Sequence, residues 1–258
     1  MLPEKLLSLI FEEVHGRIAR ARGRRAREKT SDLPLPKDIR FISFDCYGTL
    51  IDWETGAYDA FQQEADRDGF TIDREQLVPL FIETQREIMR GSYELYAEVM
   101  RRTAVRCAQG LGWDLEPSRA QFLPDSIPLW PAFRETNAQL ERFAKKYEIG
   151  LISNIDDKLL GATRRHFRVD WDLVVTAQQV RSYKPDPAHF KECARRIGGK
   201  KGWLHVASGY ETDIEPAVKE RIPVVWVNRH GEKLEGNQRK PTEIVKNLRD
   251  AAKLLKLV

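Results

Sequence analysis

The sequence lacks long apolar runs and contains little cysteine. Among its 258 residues no stretch of about 18 consecutive apolar residues occurs, so we expect no membrane-spanning helix. Its three cysteines form no CxxC pair, which argues against a disulfide scaffold and against a structural zinc site. We therefore expect a chain that works in the reducing cytoplasm and is long enough to bury a core of its own.

The net charge of +4 is concentrated in one segment. Residues 15–29 hold seven Lys or Arg and one Glu, a net +6, so the other 243 residues sum to −2. Apolar residues recur at helical spacing from Leu6 to Ile18, and the proline-punctuated stretch TSDLPLPKD follows the cations. We assign residues 1–38 to a basic N-terminal extension and linker. Nucleic acid is the less favoured partner because no nucleic-acid fold accompanies the cations, whereas the apolar stripe leaves a homodimer contact open.

From Asp38 onward, short apolar runs alternate with amphipathic segments of helix length. The strand candidates are apolar on both faces, as in a buried parallel sheet; they are residues 39–45, 148–154, 171–176, 203–207 and 222–228. Between them, segments 134–147 and 187–198 have helical patterns. This alternation predicts an α/β fold with a doubly wound, Rossmann-like parallel sheet.

One interval breaks this alternation. Residues 54–133 contain no convincing strand and are too many for an ordinary connection between a strand and a helix. We expect them to form a helical cap over the carboxyl edge of the sheet, where ligands bind in open α/β folds. Residues 39–53 and 134–258 would then form the α/β core.

Polar residues collect directly after four of the predicted strands. The four groups are residues 45–50, 153–154, 183–186 and 208–213. Because parallel strands end at one edge of a sheet, these groups can converge there. Two carboxylates, Asp45 and Asp213, with Lys184 and small hydrogen-bond donors are what a nucleophilic site for a small-molecule substrate needs.

The ordered set of motifs resembles the haloacid dehalogenase superfamily over most of residues 39–230. Within it, the stretches FDCYGTLIDWETG, LISNID and SYKPDPAHF look most like the 2-haloacid dehalogenase branch. The resemblance implies that Asp45 is the nucleophile and that Asp213 orients Lys184 or the hydrolytic water. A lysine beside Asp45 would also keep that carboxylate ionised. The resemblance further implies that the substrate carboxylate and the departing halide are oriented by Thr49, Ser153 and Asn154.

Two positions bear on the reaction class. Phosphatases of the superfamily carry an aspartate at the place of Tyr47, as general acid and base; a tyrosine with a pKa of about 10 replaces it poorly. They also carry an acid at the place of Ser208, which helps to hold Mg²⁺. A departing halide needs no proton, so we predict a hydrolase that releases halide from a small 2-haloacid through an aspartyl ester, leaving a 2-hydroxy acid, with no required metal or cofactor. The alternatives are a Mg²⁺-dependent phosphatase and a non-catalytic binding protein on the same scaffold.

The cap should supply the remaining contacts to the substrate. Haloacid dehalogenases bind the halide with a cap arginine; Arg86 lies in the expected cap helix, although a rough alignment puts Ile82 at the arginine position. Trp53 and Phe81 are expected to line an apolar wall beneath it.

Several of these residues also have structural interpretations. Thr49 and Ser153 could cap helix N-termini, and Cys46 should pack into the core because neighbours on a strand point to opposite faces. The histidines lack metal-ligand spacing and are interpreted as ordinary core or surface residues: His166, His189 and His205.

Overall fold

The computed structural model describes residues 33–258, in which six strands form one sheet in the order β3-β2-β1-β4-β5-β6. Every neighbouring pair in it is parallel. The basic segment 15–29 and the stripe from Leu6 to Ile18 lie outside the described residues. The strands are β1 Phe41–Phe44, β2 Glu148–Ser153, β3 Leu173–Thr176, β4 Trp203–Ala207, β5 Val224–Val227 and β6 Glu243–Val245.

The parallel sheet confirms the predicted fold class. All residues of β1, β4 and β5 are buried, which explains why these strands are apolar on both faces. Strand β6 is absent from the predicted strands because it is only three residues long and mostly exposed, so its sequence has no apolar run. It pairs with β5 at the edge of the sheet.

Helices connect the strands and follow the amphipathic segments of the sequence. The predicted helix 134–147 is shorter, Thr136–Ala144, and the predicted helix 187–198 is Ala188–Arg196. In chain order the helices are α1 Trp53–Ala65, α2 Arg74–Met89, α3 Tyr96–Gly110, α4 Phe122–Ser126, α5 Thr136–Ala144, α6 Asp157–Thr163, α7 Ala177–Val180, α8 Ala188–Arg196, α9 Glu215–Lys219 and α10 Leu248–Leu254.

Helices α1 to α4 form the inserted helical region between β1 and β2, and we call this region the cap. Asp52 begins α1 by accepting a hydrogen bond from the Thr55 N–H, and Asp73 begins α2 in the same way from Glu75. An aromatic cluster around Phe61 fills the interior of the cap, with Phe81 and Phe122 at ring-centroid distances of 6.3 and 5.2 Å. One continuous apolar cluster joins this interior to the sheet.

The described residues contain no helix that is both long enough and apolar enough to cross a membrane.

Two helical glycines, Gly56 in α1 of the cap and Gly161 in α6 of the core, give a matched test of packing. A Cβ on Gly56 would collide with the Trp130 side chain, whereas a Cβ on Gly161 would meet nothing within 4 Å. We expect Gly56→Ala to lower the free energy of unfolding by about 1–3 kcal/mol, as overpacking does. Gly161→Ala should raise it by up to about 1 kcal/mol because alanine favours the helix. Urea denaturation of both variants measures the difference, and equal effects would contradict the observed packing.

Candidate active site

Asp45 lies directly after β1 and is held by hydrogen bonds on both carboxylate oxygens. Lys184 Nζ donates to Oδ1 at 2.9 Å, and Thr49 Oγ1 donates to Oδ2 at 3.0 Å. The residue is 7% exposed, and that exposed part faces the cavity below the cap. The carboxylate is therefore fixed in orientation but open on one side.

The Lys184 ammonium is shared between two carboxylates. It lies 2.9 Å from Asp45 Oδ1 and 2.5 Å from Asp213 Oδ1, and it also donates to the Ile152 carbonyl at 3.1 Å. Three acceptors match the three protons of an ammonium group. Lys184 and Asp213 are 2% and 1% exposed, so water does not compete for these contacts.

The pKa values of the two carboxylates that share the ammonium are shifted in opposite directions. Burial raises the pKa of Asp45, and the charge of Asp213 adds to this, although Lys184 opposes both. For Asp213, burial is outweighed by Lys184 and by a hydrogen bond from His205, which lower its pKa to about 2. Burial would lower the pKa of Lys184, but the two carboxylates outweigh it and raise that pKa.

The loop after Asp45 depends on a glycine at position 48. Gly48 has φ +91°, and a Cβ there would lie 2.8 Å from Ser208 Oγ. The Ser208 backbone N–H donates to Thr49 Oγ1 at 2.9 Å, so the Thr49 hydroxyl proton remains available for Asp45. This chain of bonds ties the end of β4 to the end of β1.

Asn154 holds the backbone of Lys184. Its Oδ1 accepts from the Lys184 N–H at 2.7 Å, and its Nδ2 donates to the Lys184 carbonyl at 3.1 Å. Asn154 also lines the cavity, where the sequence predicts that it orients the substrate. Its side-chain amide therefore contacts the backbone of the lysine that holds Asp45 while lying at the cavity wall.

A cavity of about 760 Å³ opens over Asp45 between the core and the cap. Ser153 Oγ is buried at its wall and has no hydrogen-bond partner among the described residues. The rings of Trp53 and Phe81 stack at 5.3 Å with 17° between their planes and form an apolar side of the cavity, as expected. The cavity thus combines an unused hydroxyl donor with an aromatic wall.

On the cap side, Ile82 and Arg86 both line this cavity from helix α2. They are four residues apart and so share a helix face. Arg86 forms an ion pair with Glu211 of the core at 2.8 Å, at a side-chain exposure of 39%. The guanidinium is therefore already engaged with a core carboxylate.

Tyr47 also lines the cavity, but its hydroxyl points to a partner on α6. Tyr47 Oη and Thr163 Oγ1 are 2.8 Å apart, and the ring packs edge-on against Trp130. Burial raises the pKa of Tyr47 well above its ordinary value, so the phenol keeps its proton near neutral pH.

Neither Thr49 nor Ser153 caps a helix. The N-terminus of α1 is capped by Asp52, and the hydroxyl of Thr49 lies on Asp45. Cys46 is fully buried, and burial raises its pKa well above the ordinary value. No three His, Cys, Asp or Glu side chains between residues 33 and 258 are grouped in a way that could hold a metal ion.

Residues 39–240 match the family model described as haloacid dehalogenase-like hydrolase, which covers more than half of the chain. The chain belongs to this hydrolase family. It is 24% identical over 222 residues to the (S)-2-haloacid dehalogenase of Pseudomonas putida, covering 85% of this chain and 97% of that protein. It is 27% identical over 203 residues to the (S)-2-haloacid dehalogenase 4A of Burkholderia cepacia, covering 75% and 84%.

A solved structure shows the same fold. The L-2-haloacid dehalogenase from Xanthobacter autotrophicus, with chloropropionic acid covalently bound, matches this hydrolase with a TM-score of 0.73. The match has 18% sequence identity and covers 84% of this chain and 98% of the other. The inserted helices and the parallel sheet are therefore common to both.

Two residues of this haloacid dehalogenase-like hydrolase contact the site although the sequence does not predict them as site residues: Arg229, which carries no motif, and His205, which is interpreted above as an ordinary core or surface residue. Arg229 follows β5, and its guanidinium donates to the carbonyls of Gly48 at 3.1 Å and Thr49 at 2.7 Å, behind the loop that carries Asp45. His205 of β4 lies 3.1 Å from Asp213 Oδ1. The sequence offers one sign of a role for His205, because a polar histidine stands in the middle of the otherwise apolar strand WLHVA.

The opposite pKa shifts of Asp45 and Asp213 predict opposite effects on the stability of this hydrolase. The pKa of Asp213 is lowered to about 2 from an unfolded value of about 3.9, so its stabilisation is present above the unfolded value and lost as the pH falls. The pKa of Asp45 is raised, so its stabilisation is present below the unfolded value and lost as the pH rises. At pH 7 Asp213→Asn should cost on the order of 2 kcal/mol, while Asp45→Asn should leave the free energy of unfolding unchanged or higher.

Chemical denaturation of both variants between pH 3 and pH 8 measures this difference. The Asp45→Asn variant should approach the wild type as the pH falls, because Asp45 of the wild type is then protonated. The Asp213→Asn variant should approach it only partly by pH 3, because the unfolded chain binds a proton below about pH 3.9 while Asp213 of the folded wild type stays mostly ionised. A stable Asp213→Asn variant together with a destabilised Asp45→Asn variant at pH 7 would contradict the assigned directions.

Proposed function

We propose that this hydrolase displaces halide from the C2 carbon of small 2-haloacids, with Asp45 as the nucleophile. The observation that carries the proposal is a carboxylate oriented by Lys184 and Thr49 and open only to the cavity beneath the cap. The relatives support this substrate class, since the curated proteins it resembles are (S)-2-haloacid dehalogenases.

The reaction has two steps. An oxygen of the Asp45 carboxylate attacks C2, the carbon–halogen bond breaks, and the halide leaves with the bonding electrons. Water then attacks the carbonyl carbon of the aspartyl ester, which releases the 2-hydroxy acid, regenerates Asp45 and passes one proton to solution. Lys184 stabilises negative charge on the Asp45 oxygens in the second step, where it develops on the ester carbonyl. In the Xanthobacter autotrophicus protein chloropropionic acid is covalently bound, in keeping with a covalent intermediate.

The remaining contacts suit a small organic acid. The free Ser153 hydroxyl lies at the cavity wall and would donate to the substrate carboxylate. Trp53 and Phe81 would contact the alkyl group. Arg86 lines the cavity from the same face of α2 as Ile82 and would bind the departing halide there. Its guanidinium would do so while paired with Glu211.

A phosphatase is the less favoured reading of the same site. The leaving alcohol of a phosphate ester needs a proton donor. Tyr47 is a poor one, because its pKa is raised and its hydroxyl is hydrogen-bonded to Thr163. Ser208 provides a neutral hydroxyl where a carboxylate would be needed to complete a Mg²⁺ site. A departing halide requires neither group.

Direct comparison of two products decides between these reactions. We expect halide release from (S)-2-chloropropionate and no phosphate release from p-nitrophenyl phosphate with Mg²⁺ present. Asp45→Asn should lower halide release by at least a thousandfold, while the exposed-site control Asp114→Asn should match the wild type. Phosphate release that depends on Asp45, with no halide release, would overturn the proposal.

The covalent step makes a separate prediction. One turnover in ¹⁸O-labelled water should place the label in the Asp45 carboxylate, because water attacks the ester carbonyl. Mass spectrometry of the peptide containing Asp45 detects the added mass, and the peptide containing Asp213 is the internal control. Labelled 2-hydroxy acid formed in that turnover beside an unlabelled Asp45 would show that water attacks C2 directly.

A further inference from the structure

His205 links the catalytic edge of the sheet to its interior. It is fully buried in the middle of β4, where it pairs in register with Ser43 of β1. Its Nδ1 lies 2.8 Å from Ser43 Oγ, and its Nε2 lies 3.1 Å from Asp213 Oδ1. The same Asp213 oxygen accepts from Lys184.

The hydrogen-bond donors and acceptors around His205 determine that its Nε2 is protonated and donates to Asp213. The Trp203 indole N–H can only donate, and it donates to Ser43 Oγ at 2.7 Å. The single hydroxyl proton of Ser43 is then free to bond to His205 Nδ1. An ionised Asp213 can only accept, so Nε2 carries a proton and donates to it.

The ring of His205 is held against rotation by its neighbours. Phe190 packs edge-on against it, with ring centroids 5.2 Å apart and 90° between the planes. Ser43 holds the opposite end of the imidazole. A donor with so little freedom fixes the position of the oxygen that it contacts.

We propose that His205 is a positioning residue, which holds Asp213 against Lys184 and thereby sets the orientation and charge of the Lys184 ammonium at Asp45. Its kinetic consequence rests on the proposed function. The titratable groups that face Asp213 are Lys184, Asp45 after β1, His205 on β4 and His189 on α8. Burial lowers the pKa of His189 to about 3. Neither of its ring nitrogens has a hydrogen-bond partner among the described residues, so His189 does not hold Asp213 in place of His205.

Substitutions of matched chemistry separate positioning from packing. In His205→Gln the side-chain amide reaches the place of Nε2 and keeps a donor to Asp213. In His205→Asn the same amide is one methylene shorter and does not reach Asp213. His205→Phe keeps a ring against Phe190 but has no donor.

With (S)-2-chloropropionate, we expect His205→Asn and His205→Phe to lower kcat at least tenfold with KM changed less than threefold. The acid limb of their kcat/KM profiles should move to higher pH, because Asp213 loses a donor to its ionised form. His205→Gln should recover most of kcat. Equal kcat in the Gln and Asn variants would overturn the positioning role.

A second measurement does not depend on turnover. Carbon-13 NMR of labelled aspartate carboxyls should show the pKa of Asp213 raised by at least one unit in the Asn and Phe variants but not in the Gln variant. An unchanged Asp213 titration in a folded Asn variant would overturn this proposal even if the wild type released halide. Absence of halide release from the wild type would instead refute the proposed function, and the NMR shift would still decide the role of His205. If the Phe variant does not fold, the comparison of Gln with Asn decides.

Discussion

The candidate site depends on one buried ammonium shared by two carboxylates. Asp45, Lys184 and Asp213 carry a net charge of −1 in a place that water scarcely reaches. Burying charges is costly, and such groups seldom add much net stability even when they are paired. What the arrangement provides is orientation, since every ammonium proton has an acceptor and both oxygens of Asp45 have donors. The apolar sheet and the helices packed on it supply the stability that offsets the desolvation.

A parallel sheet is what allows distant segments to meet at this ammonium. Asp45 follows β1, Asp213 lies in the turn after β4, and Asn154 after β2 fixes the backbone of Lys184. All of these strands end at one edge because they run in the same direction. Arg229, which follows β5, donates hydrogen bonds to the carbonyls of the loop behind Asp45. The end of β5 therefore also supports the site.

The sequence was most informative where polar residues stand at the end of a predicted apolar strand. Asp45, Ser153 and Ser208 stand at strand ends, and parallel pairing brings such ends together, so their convergence could be predicted together with the fold class. Contacts inside the fold could not be predicted in this way. His205 and Ser43 are 162 residues apart in sequence and meet only through the register of β1 and β4, and each alone is an ordinary polar residue in a strand. Strand β6 could not be predicted for another reason, because an exposed edge strand needs no apolar pattern.

The cap is held over Asp45 by the segment that also positions Lys184. Two residues after Asn154, the buried carboxylate of Asp156 accepts from the backbone N–H groups of Tyr96 and Ala97, each at 2.8 Å, and so satisfies the first turn of α3. The Tyr183 hydroxyl, beside Lys184, donates to the Glu94 carbonyl at 2.9 Å. Movement of the cap would therefore pull on both chain segments that flank the ammonium. Because electrostatic interactions are stronger where water is excluded, the helices packed over Asp45 strengthen the contacts that Lys184 makes with the two carboxylates.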